Sequence, residues 1–290
     1  PDLSVTSSLQ GLALSLPAPL DKSAGAVLPL HLESKRLAGA GGTPQDELSL
    51  QIGHIASATY VRDRSGAQAR VLRGAIGVGL AGGAAPPMPA AGVAASVNLD
   101  RLDLDAWRAL VSRLQVSAGA AAPSPEAAPA AGAPAAESDY LPTALALRAR
   151  ELIVQGRTLH NVVVGASRDG RTWRANMDAD ELDGYAEYRP SSTSSAGRVY
   201  ARLARLRIAA SSTSDVEQLL EKPTDSVPAL DIVVDDFELK GKRLGRVEID
   251  AVNRGPGTAA REGGIREWQL NKLTITEPEA TFTATGNWAA

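Results

Sequence analysis

The stretch LDIVVDDFELKG, residues 230–241, constrains the fold more than any other part of the chain. Its apolar residues alternate, slip by one position at Asp235-Asp236, and then alternate again. Alternation is typical of a strand with one buried face, and a slip normally sends the second apolar set to the opposite face. A β-bulge, in which two residues oppose one on the partner strand, keeps both sets together. We therefore predict a bulged strand whose apolar face carries Leu230, Ile232, Val234, Phe237 and Leu239.

The same slip occurs in three other stretches, so we interpret the bulged strand as a repeated unit. In ASVNLDRLDL the in-phase residues are Ala95, Val97, Leu99, Leu102 and Leu104. In LALRARELIV they are Leu145, Leu147, Ala149, Leu152 and Val154. In VYARLARLRI they are Val199, Ala201, Leu203, Leu206 and Ile208.

A longer repeat is visible in the second half of the chain. LALRARELIVQGRTLHNVVV matches LDIVVDDFELKGKRLGRVEI without a gap, and Gly156 corresponds to Gly241. Each copy reads as a strand, a glycine-containing turn and a return strand, which is a β-hairpin. We predict two repeated hairpin units, at about 143–190 and 228–290, within a β segment spanning 140–290. A capping-box pattern in SDVEQLLEK predicts a short helix between them.

The first half is predicted to form a second β segment, residues 1–116. Leu28, Leu30 and Leu32 share one face of a strand, as do Leu48, Leu50 and Ile52, and Ile76, Val78 and Leu80. DAWRALVSRL has helical spacing with Asp105 as the expected N-cap, so a short helix is predicted near 105–115. Residues 117–139 are rich in Ala and Pro, which predicts a disordered insert or linker.

Composition excludes several functional classes. The net charge of −3 offers no basic footprint for nucleic acid and no attraction to an anionic membrane surface. The absence of cysteine excludes disulfides and thiolate chemistry. No run of apolar residues is long enough for a transmembrane helix. The chain begins without Met or a secretory signal and ends directly after a strand-like run, so we expect a segment of a longer protein.

Candidate catalytic and metal-binding residues are few. His31, His54 and His160 are far apart and lack ligand neighbours, so no metal site is predicted. The carboxylates of Asp235-Asp236, Asp103/Asp105 and the 178–183 cluster are interpreted as exposed strand, bulge or cap residues. Gly77 and Gly79 lack the helix and the Lys-Ser/Thr of a phosphate loop, and no nucleophile elbow is present. We predict that the chain is not an enzyme and uses no cofactor.

The remaining signal is a set of strands with one apolar face. A closed β-sandwich or barrel would use this face as its core, whereas an open, curled sheet would leave it available to a ligand. Patterning alone does not separate the two. Aromatic residues are only 4% of the chain and few helices are predicted, which favours the open sheet because little is available to fill or cover an interior.

Several stretches resemble the YhdP branch of the AsmA-like envelope proteins of Gram-negative bacteria. They are GLALSLPAPLDKSAGAVLPL, RGAIGVG, VNLDRLDLDAWRAL, RVYARLARLRI, LDIVVDDFELKGKRLGRVEIDAVNR and REWQLNKLTITEPEATFTATGNW. The resemblance covers nearly all of the chain except the 117–139 insert, and its motifs are structural rather than catalytic. It implies a mostly β, taco-like groove of repeating antiparallel strands with a few short helices, similar to bridge-like lipid transfer proteins.

The resemblance also implies a function. The chain would be the periplasmic portion of an inner-membrane-anchored protein, and its apolar concave sheet would carry phospholipid acyl chains between inner and outer membranes. Contact with membranes would be made through parts of the full-length protein outside this chain. The alternatives are an envelope scaffold that binds a protein partner through the same face, and a carbohydrate-active enzyme. The residues expected to line the groove are Leu145, Leu147, Leu152, Val154, Leu203, Leu206, Ile208, Leu230, Ile232, Val234, Phe237 and Leu239.

Overall fold

The computed structural model describes residues 3–39, 42–120, 139–191, 197–209, 227–254 and 267–289. These residues form fifteen strands, one α-helix and a 3₁₀ turn at Ala81–Gly83. The first seven strands are β1 (Leu3–Ser7), β2 (Leu30–Ala38), β3 (Pro44–Ile52), β4 (Ala56–Asp63), β5 (Arg70–Val78), β6 (Gly92–Asp103) and β7 (Ala144–Val154). The helix, α1 (Leu104–Ala120), follows β6. The others are β8 (Arg157–Asp169), β9 (Thr172–Asp178), β10 (Leu182–Arg189), β11 (Arg198–Ile208), β12 (Ala229–Leu239), β13 (Lys242–Arg254), β14 (Glu267–Thr276) and β15 (Thr281–Ala289).

All fifteen strands belong to one sheet, in which they are ordered as in the sequence from β1 to β15. The chain divides into two compact units, Pro1–Val162 and Val163–Ala290. The predicted fold class, mostly β with an open, groove-like sheet and little helix, is confirmed. Among the described strands, β1 and β15 are the two edges of this sheet and do not pair with each other, so the sheet is not closed into a barrel.

Parallel pairing is the main departure from the prediction. Most neighbours are antiparallel, but β5–β6, β6–β7 and β11–β12 are parallel. A parallel pair needs a connection that returns the chain to the starting end of the first strand. Residues 79–91 make this return between β5 and β6. The predicted antiparallel pairing therefore holds for most neighbours but not for these three pairs.

The bulged strands pair with one another in β6–β7 and in β11–β12. In β6–β7, Leu99 lies beside Ala149 and Leu102 beside Leu152, so both strands slip at the same level. In β11–β12, Leu203 lies beside Val234 and Leu206 beside Phe237, with the slip again shared. Against β13, Asp235 and Asp236 together oppose Arg246, which confirms the predicted bulge.

The hairpin turns follow the predicted chemistry. β7 and β8 are joined by Gln155-Gly156, and β12 and β13 by Lys240-Gly241. All four residues have positive φ, between 52° and 75°. Two consecutive positive φ values define a type I′ turn, whose twist matches that of the flanking strands. Glycine at the second position adopts this conformation without a Cβ clash, which explains the matching glycines of the two repeats.

Helix α1 is attached to the sheet through Asp105, the residue predicted from sequence to be its N-cap. Asp103, not Asp105, is the N-cap, because its Oδ1 accepts from the Ala106 amide at 2.8 Å. The Asp105 carboxylate instead accepts from the Gln155 and Gly156 amides at 2.8 and 2.7 Å. Hydrogen bonds from Gly156 and Gln155 lower the pKa of Asp105 below its usual 3.8. The expected N-cap thus connects the helix to the β7–β8 turn.

Some expectations concern residues outside the described ranges. The helix predicted in SDVEQLLEK lies among them, as does most of the 117–139 insert, of which residues 117–120 belong to α1. The segment boundaries proposed from sequence therefore stay predictions.

Candidate functional site: one apolar face of the sheet

The second unit presents a continuous apolar face. Strand registers place residues side by side in rows that cross the strands, and two of these rows are almost entirely apolar. In strand order, the first is Val164, Met177, Gly184, Leu203, Val234, Val247, Ile275 and Phe282. The second is Ala166, Ala175, Ala186, Ala201, Ile232, Ile249, Leu273 and Ala284. Each row extends without interruption from β8 to β15.

The packing of this face is dense at its centre. Ala201, Leu203, Val234 and Val247 are buried, and Leu206, Ile232, Phe237, Ile249 and Leu273 are among the half-buried residues that surround them. Val234 is only 2% exposed. The bulges keep Leu206 and Phe237 on the same face as Leu203 and Val234, which widens the apolar surface along each strand. The apolar face is therefore a well-packed surface rather than a set of scattered side chains.

The first unit has a comparable apolar face. Its first row is Ser7, Leu30, Ile52, Ala56, Val78, Val97 and Leu147. Its second row is Val5, Leu32, Leu50, Ala58, Ile76, Ala95 and Leu145. A third row adds Leu3, Ser34, Leu48, Tyr60, Gly74 and Val93. The Tyr60 ring occupies the space beside Gly74, where an added Cβ would come within 2.5 Å of Tyr60 Cδ1.

All twelve residues predicted to line the groove lie on these faces or continue their pattern, and none is exposed. Leu147, Leu152, Leu203 and Val234 are buried, and the other eight are half-buried. Four belong to the first unit and eight to the second. The sequence-based set missed the neighbours on β8, β9, β10 and β14, such as Met177 and Leu273, although their alternating pattern is visible in the sequence. Whether any of the twelve contacts a ligand stays a prediction.

The opposite face is charged. Arg148 and Arg150 are exposed beside the buried Leu147 and Ala149, and Arg150 Nε lies 3.1 Å from Asp100 Oδ1. In the second unit Arg202 Nη2 donates to Asp231 Oδ1 at 2.8 Å. We call this surface the charged face. Its ion pairs are largely exposed, so each contributes little to stability, but together they keep this side of the sheet hydrated.

The connection from β5 to β6 crosses the charged face, not the apolar face. Gly77 is paired with Ser57 and Ser96, out of phase with Ile76 and Val78. An added Cβ on Gly77 would lie 2.9 Å from Pro86 Cδ and 3.0 Å from Leu80 Cδ1. The prediction that Leu80 shares a face with Ile76 and Val78 was wrong, because Gly79, with φ of 67°, turns the chain. This connection therefore does not lie over the apolar side of β5.

A charged cluster borders the apolar face of the first unit, and sequence analysis did not identify it. Asp46 is 2% exposed and lies one row beyond Leu48, on the same face. Arg62 donates to its two oxygens at 2.9 and 2.7 Å, and Arg64 donates at 3.1 Å. Burial raises the pKa of Asp46, but the hydrogen bonds from Arg62 and Arg64 outweigh it and lower the pKa below 3.8. We call Asp46, Arg62 and Arg64 the rim cluster.

Aromatic contacts attach the rim cluster to the segment before β7. Arg62 Nη1 donates to the Tyr140 hydroxyl at 3.3 Å, and the Tyr60 hydroxyl donates to the Tyr140 carbonyl at 3.3 Å. The two tyrosine rings meet edge to face with centroids 5.2 Å apart. The apolar rows of the first unit thus end at a polar and aromatic border on this side.

Other chemistry predicted from sequence is not assembled into a site. Among the described residues, no group of three or more His, Asp and Glu side chains is placed to hold a metal ion. His31 Nδ1 is 3.1 Å from Thr6 Oγ1, on the charged face. No helix within the described ranges is both long and apolar enough to cross a bilayer.

These features define a class of protein: a repeat-built open β-sheet in which each of the two units presents an apolar face and a charged face. The YhdP protein family model matches residues 2–290, and the chain belongs to this family. Membership supports a family-level role in the cell envelope and in lipid transport, and the family is not one of known enzymes. Comparison with curated proteins and with solved structures finds no significant match.

Proposed function

We propose that this chain is a section of a periplasmic lipid bridge whose apolar face carries phospholipid acyl chains between the inner and outer membranes. The observation that carries this proposal is the pair of apolar rows that cross every strand of the second unit from β8 to β15. An ordinary hydrophobic core does not explain these rows, because the described strands supply no second sheet for them to pack against.

The energetics explain why such a surface is useful. Moving an acyl chain into water costs about 0.8 kcal/mol per CH₂, or on the order of 13 kcal/mol for sixteen carbons. Neighbouring strands are about 4.8 Å apart, so a chain that passes along a row meets a new apolar side chain at each step. Because the rows repeat Leu, Ile, Val and Ala, no single position forms a deep trap, while the headgroup stays in water.

The geometry of the connections supports the same function. The return from β5 to β6 runs over Gly77 on the charged face, so this connection does not cover the apolar side of those strands. Salt bridges such as Arg202–Asp231 and Arg150–Asp100 keep the charged face in water. The proposal includes a location: this chain is the periplasmic portion of a protein anchored in the inner membrane by another segment.

Native mass spectrometry of the purified chain tests this function. We expect phospholipid to co-purify, and Ile232→Asp, on the apolar face, to lose it because a carboxylate would have to displace the acyl chain. The matched control is Asp231→Asn, whose side chain lies on the charged face, and it should retain lipid. A wild-type chain that purifies without lipid and does not acquire it from vesicles would favour the scaffold alternative.

A further inference from the structure

The rim cluster gives the apolar face of the first unit a charged border at one end of its strands. Rows led by Leu30, Leu32 and Leu48 are largely apolar, whereas the next row pairs Arg36, Asp46 and Arg62. Arg64 extends the border, because its amide donates to the Pro44 carbonyl at 2.9 Å and continues the β3–β4 pairing. An amphiphile that lies along β3 and β4 would therefore have its polar end beside this cluster.

The cluster carries more positive than negative charge. Arg62 donates to both oxygens of Asp46 and is itself largely buried, with its side chain 15% exposed. Arg62 and Asp46 thus form a buried ion pair with no net charge. Arg64 donates to the same carboxylate through Nη1, yet its side chain is 57% exposed. The surplus charge is therefore held on an exposed guanidinium that the buried carboxylate orients toward the margin of the apolar face.

We propose that Arg64 binds the phosphate of an anionic glycerophospholipid whose acyl chains lie on the apolar face of the first unit. This inference rests on the proposed function and adds a headgroup preference to it. Guanidinium and phosphate form short, charge-assisted hydrogen bonds with matched geometry. The Asp46 contact fixes Arg64 in advance, so less side-chain entropy is lost when the phosphate binds. Lipids with a net negative headgroup are preferred over zwitterionic or uncharged ones.

Binding of soluble short-chain lipids to the full 290-residue chain tests this preference. The probes are dihexanoyl phosphatidylglycerol, dihexanoyl phosphatidylcholine, dihexanoylglycerol and inorganic phosphate, measured by isothermal titration calorimetry. The wild type should bind phosphatidylglycerol most tightly. Arg64→Gln should weaken that binding about three- to five-fold, as expected for a half-exposed ion pair, and leave dihexanoylglycerol unchanged. Arg64→Lys should keep only part of the preference, because it retains the charge but not the geometry of the guanidinium, and 1 M salt should abolish the preference.

Arg70→Gln is the matched control, because Arg70 is 69% exposed and is paired with Asp63, which is out of phase with Arg62. It should leave all four affinities unchanged, and circular dichroism should show that each variant is folded. Unchanged phosphatidylglycerol affinity in folded Arg64→Gln would overturn the headgroup assignment while the proposed function stands. Phosphate binding lost in Arg64→Gln without any lipid preference would reassign the site to free phosphate. Failure of every lipid to bind, dihexanoylglycerol included, would overturn the proposed function itself.

Discussion

At the scale of single residues, Asp46 is the side chain whose burial most needs explanation. A carboxylate that is 2% exposed on an apolar face is tolerated only because two guanidiniums compensate it. Its removal would leave Arg62 buried without its partner. A buried ion pair is not a large net source of stability, but breaking one by removing a single partner typically costs about 3–5 kcal/mol. Asp46 is thus a position where the fold depends on a polar contact.

We predict that Asp46→Ala destabilises the chain by about 3 kcal/mol, measured by urea unfolding near neutral pH. The lowered pKa of Asp46 sets the sign of the pH dependence. A depressed carboxyl pKa stabilises the fold above the unfolded-state pKa, and this stabilisation is lost as pH falls through the folded-state pKa. The difference between wild type and variant should therefore shrink below pH 3.8, the usual value for this carboxyl. Asp169→Ala, at an exposed pair with Arg174, is the control and should cost little.

At the scale of elements, the paired bulges determine which strands can be neighbours. β11 and β12 slip at the same level, so Leu206 stays beside Phe237 and Ile208 beside Leu239. Against its antiparallel neighbours each strand also has one extra residue: Ala204 relative to β10, and one of Asp235 and Asp236 relative to β13. Because β11 and β12 are bulged at the same level, their apolar side chains stay side by side along the whole pair, which would not hold if either paired with a regular strand in the same way. The matched bulges therefore favour the parallel pair.

Deletion variants test this coupling. Deleting Asp236 alone should remove the β12 bulge opposite Arg246, while the second register shift, between Phe237 and Glu238, remains. It should also move Phe237 beside Arg205 of β11, which mismatches two apolar side chains. Loss of their burial should destabilise the chain by about 3 kcal/mol or more. Deleting Ala204 and Asp236 together removes both bulges and restores the match, so the double deletion should be more stable than the Asp236 deletion. Urea unfolding measures the stability of the Ala204 deletion, the Asp236 deletion and the double deletion relative to the wild type. A double deletion at least as unstable as the sum of the single ones would show that the bulges act independently.

The sequence allowed most elements of the face to be predicted, and the exceptions have physical reasons. Strand β4 was missed because its apolar-face positions are Ala56, Ala58, Tyr60 and Arg62, a weak alternation of small, aromatic and charged residues. The parallel pairs were missed because alternation reports which side is buried but not the direction of the neighbour. Asp105 was misassigned since its partners, the amides of a distant turn, lie outside local sequence. The rim cluster depends likewise on strand register that no local pattern encodes.

At the scale of the whole molecule, each of the two units contains strands that alternate apolar and polar residues, are kept in phase by bulges, and place their apolar residues on one face of that unit. Repetition suits a surface along which a ligand moves, because equivalent positions bind with similar strength. Under the proposed function, passage of a lipid depends on the continuity of the apolar rows, so one charge placed on a row interrupts it. A single charged substitution on the face should then block passage while the fold survives.

Site-specific photo-crosslinking in cells tests the central claim most directly. A photoreactive amino acid is placed at Leu147 or Ile232 on the apolar face, and at the neighbouring Arg148 or Asp231 on the charged face as matched controls. Mass spectrometry then identifies what each position captures. We predict phospholipid adducts at Leu147 and Ile232 and none at Arg148 and Asp231. Equal lipid capture on the two faces, or capture of protein without lipid at Leu147 and Ile232, would contradict the account.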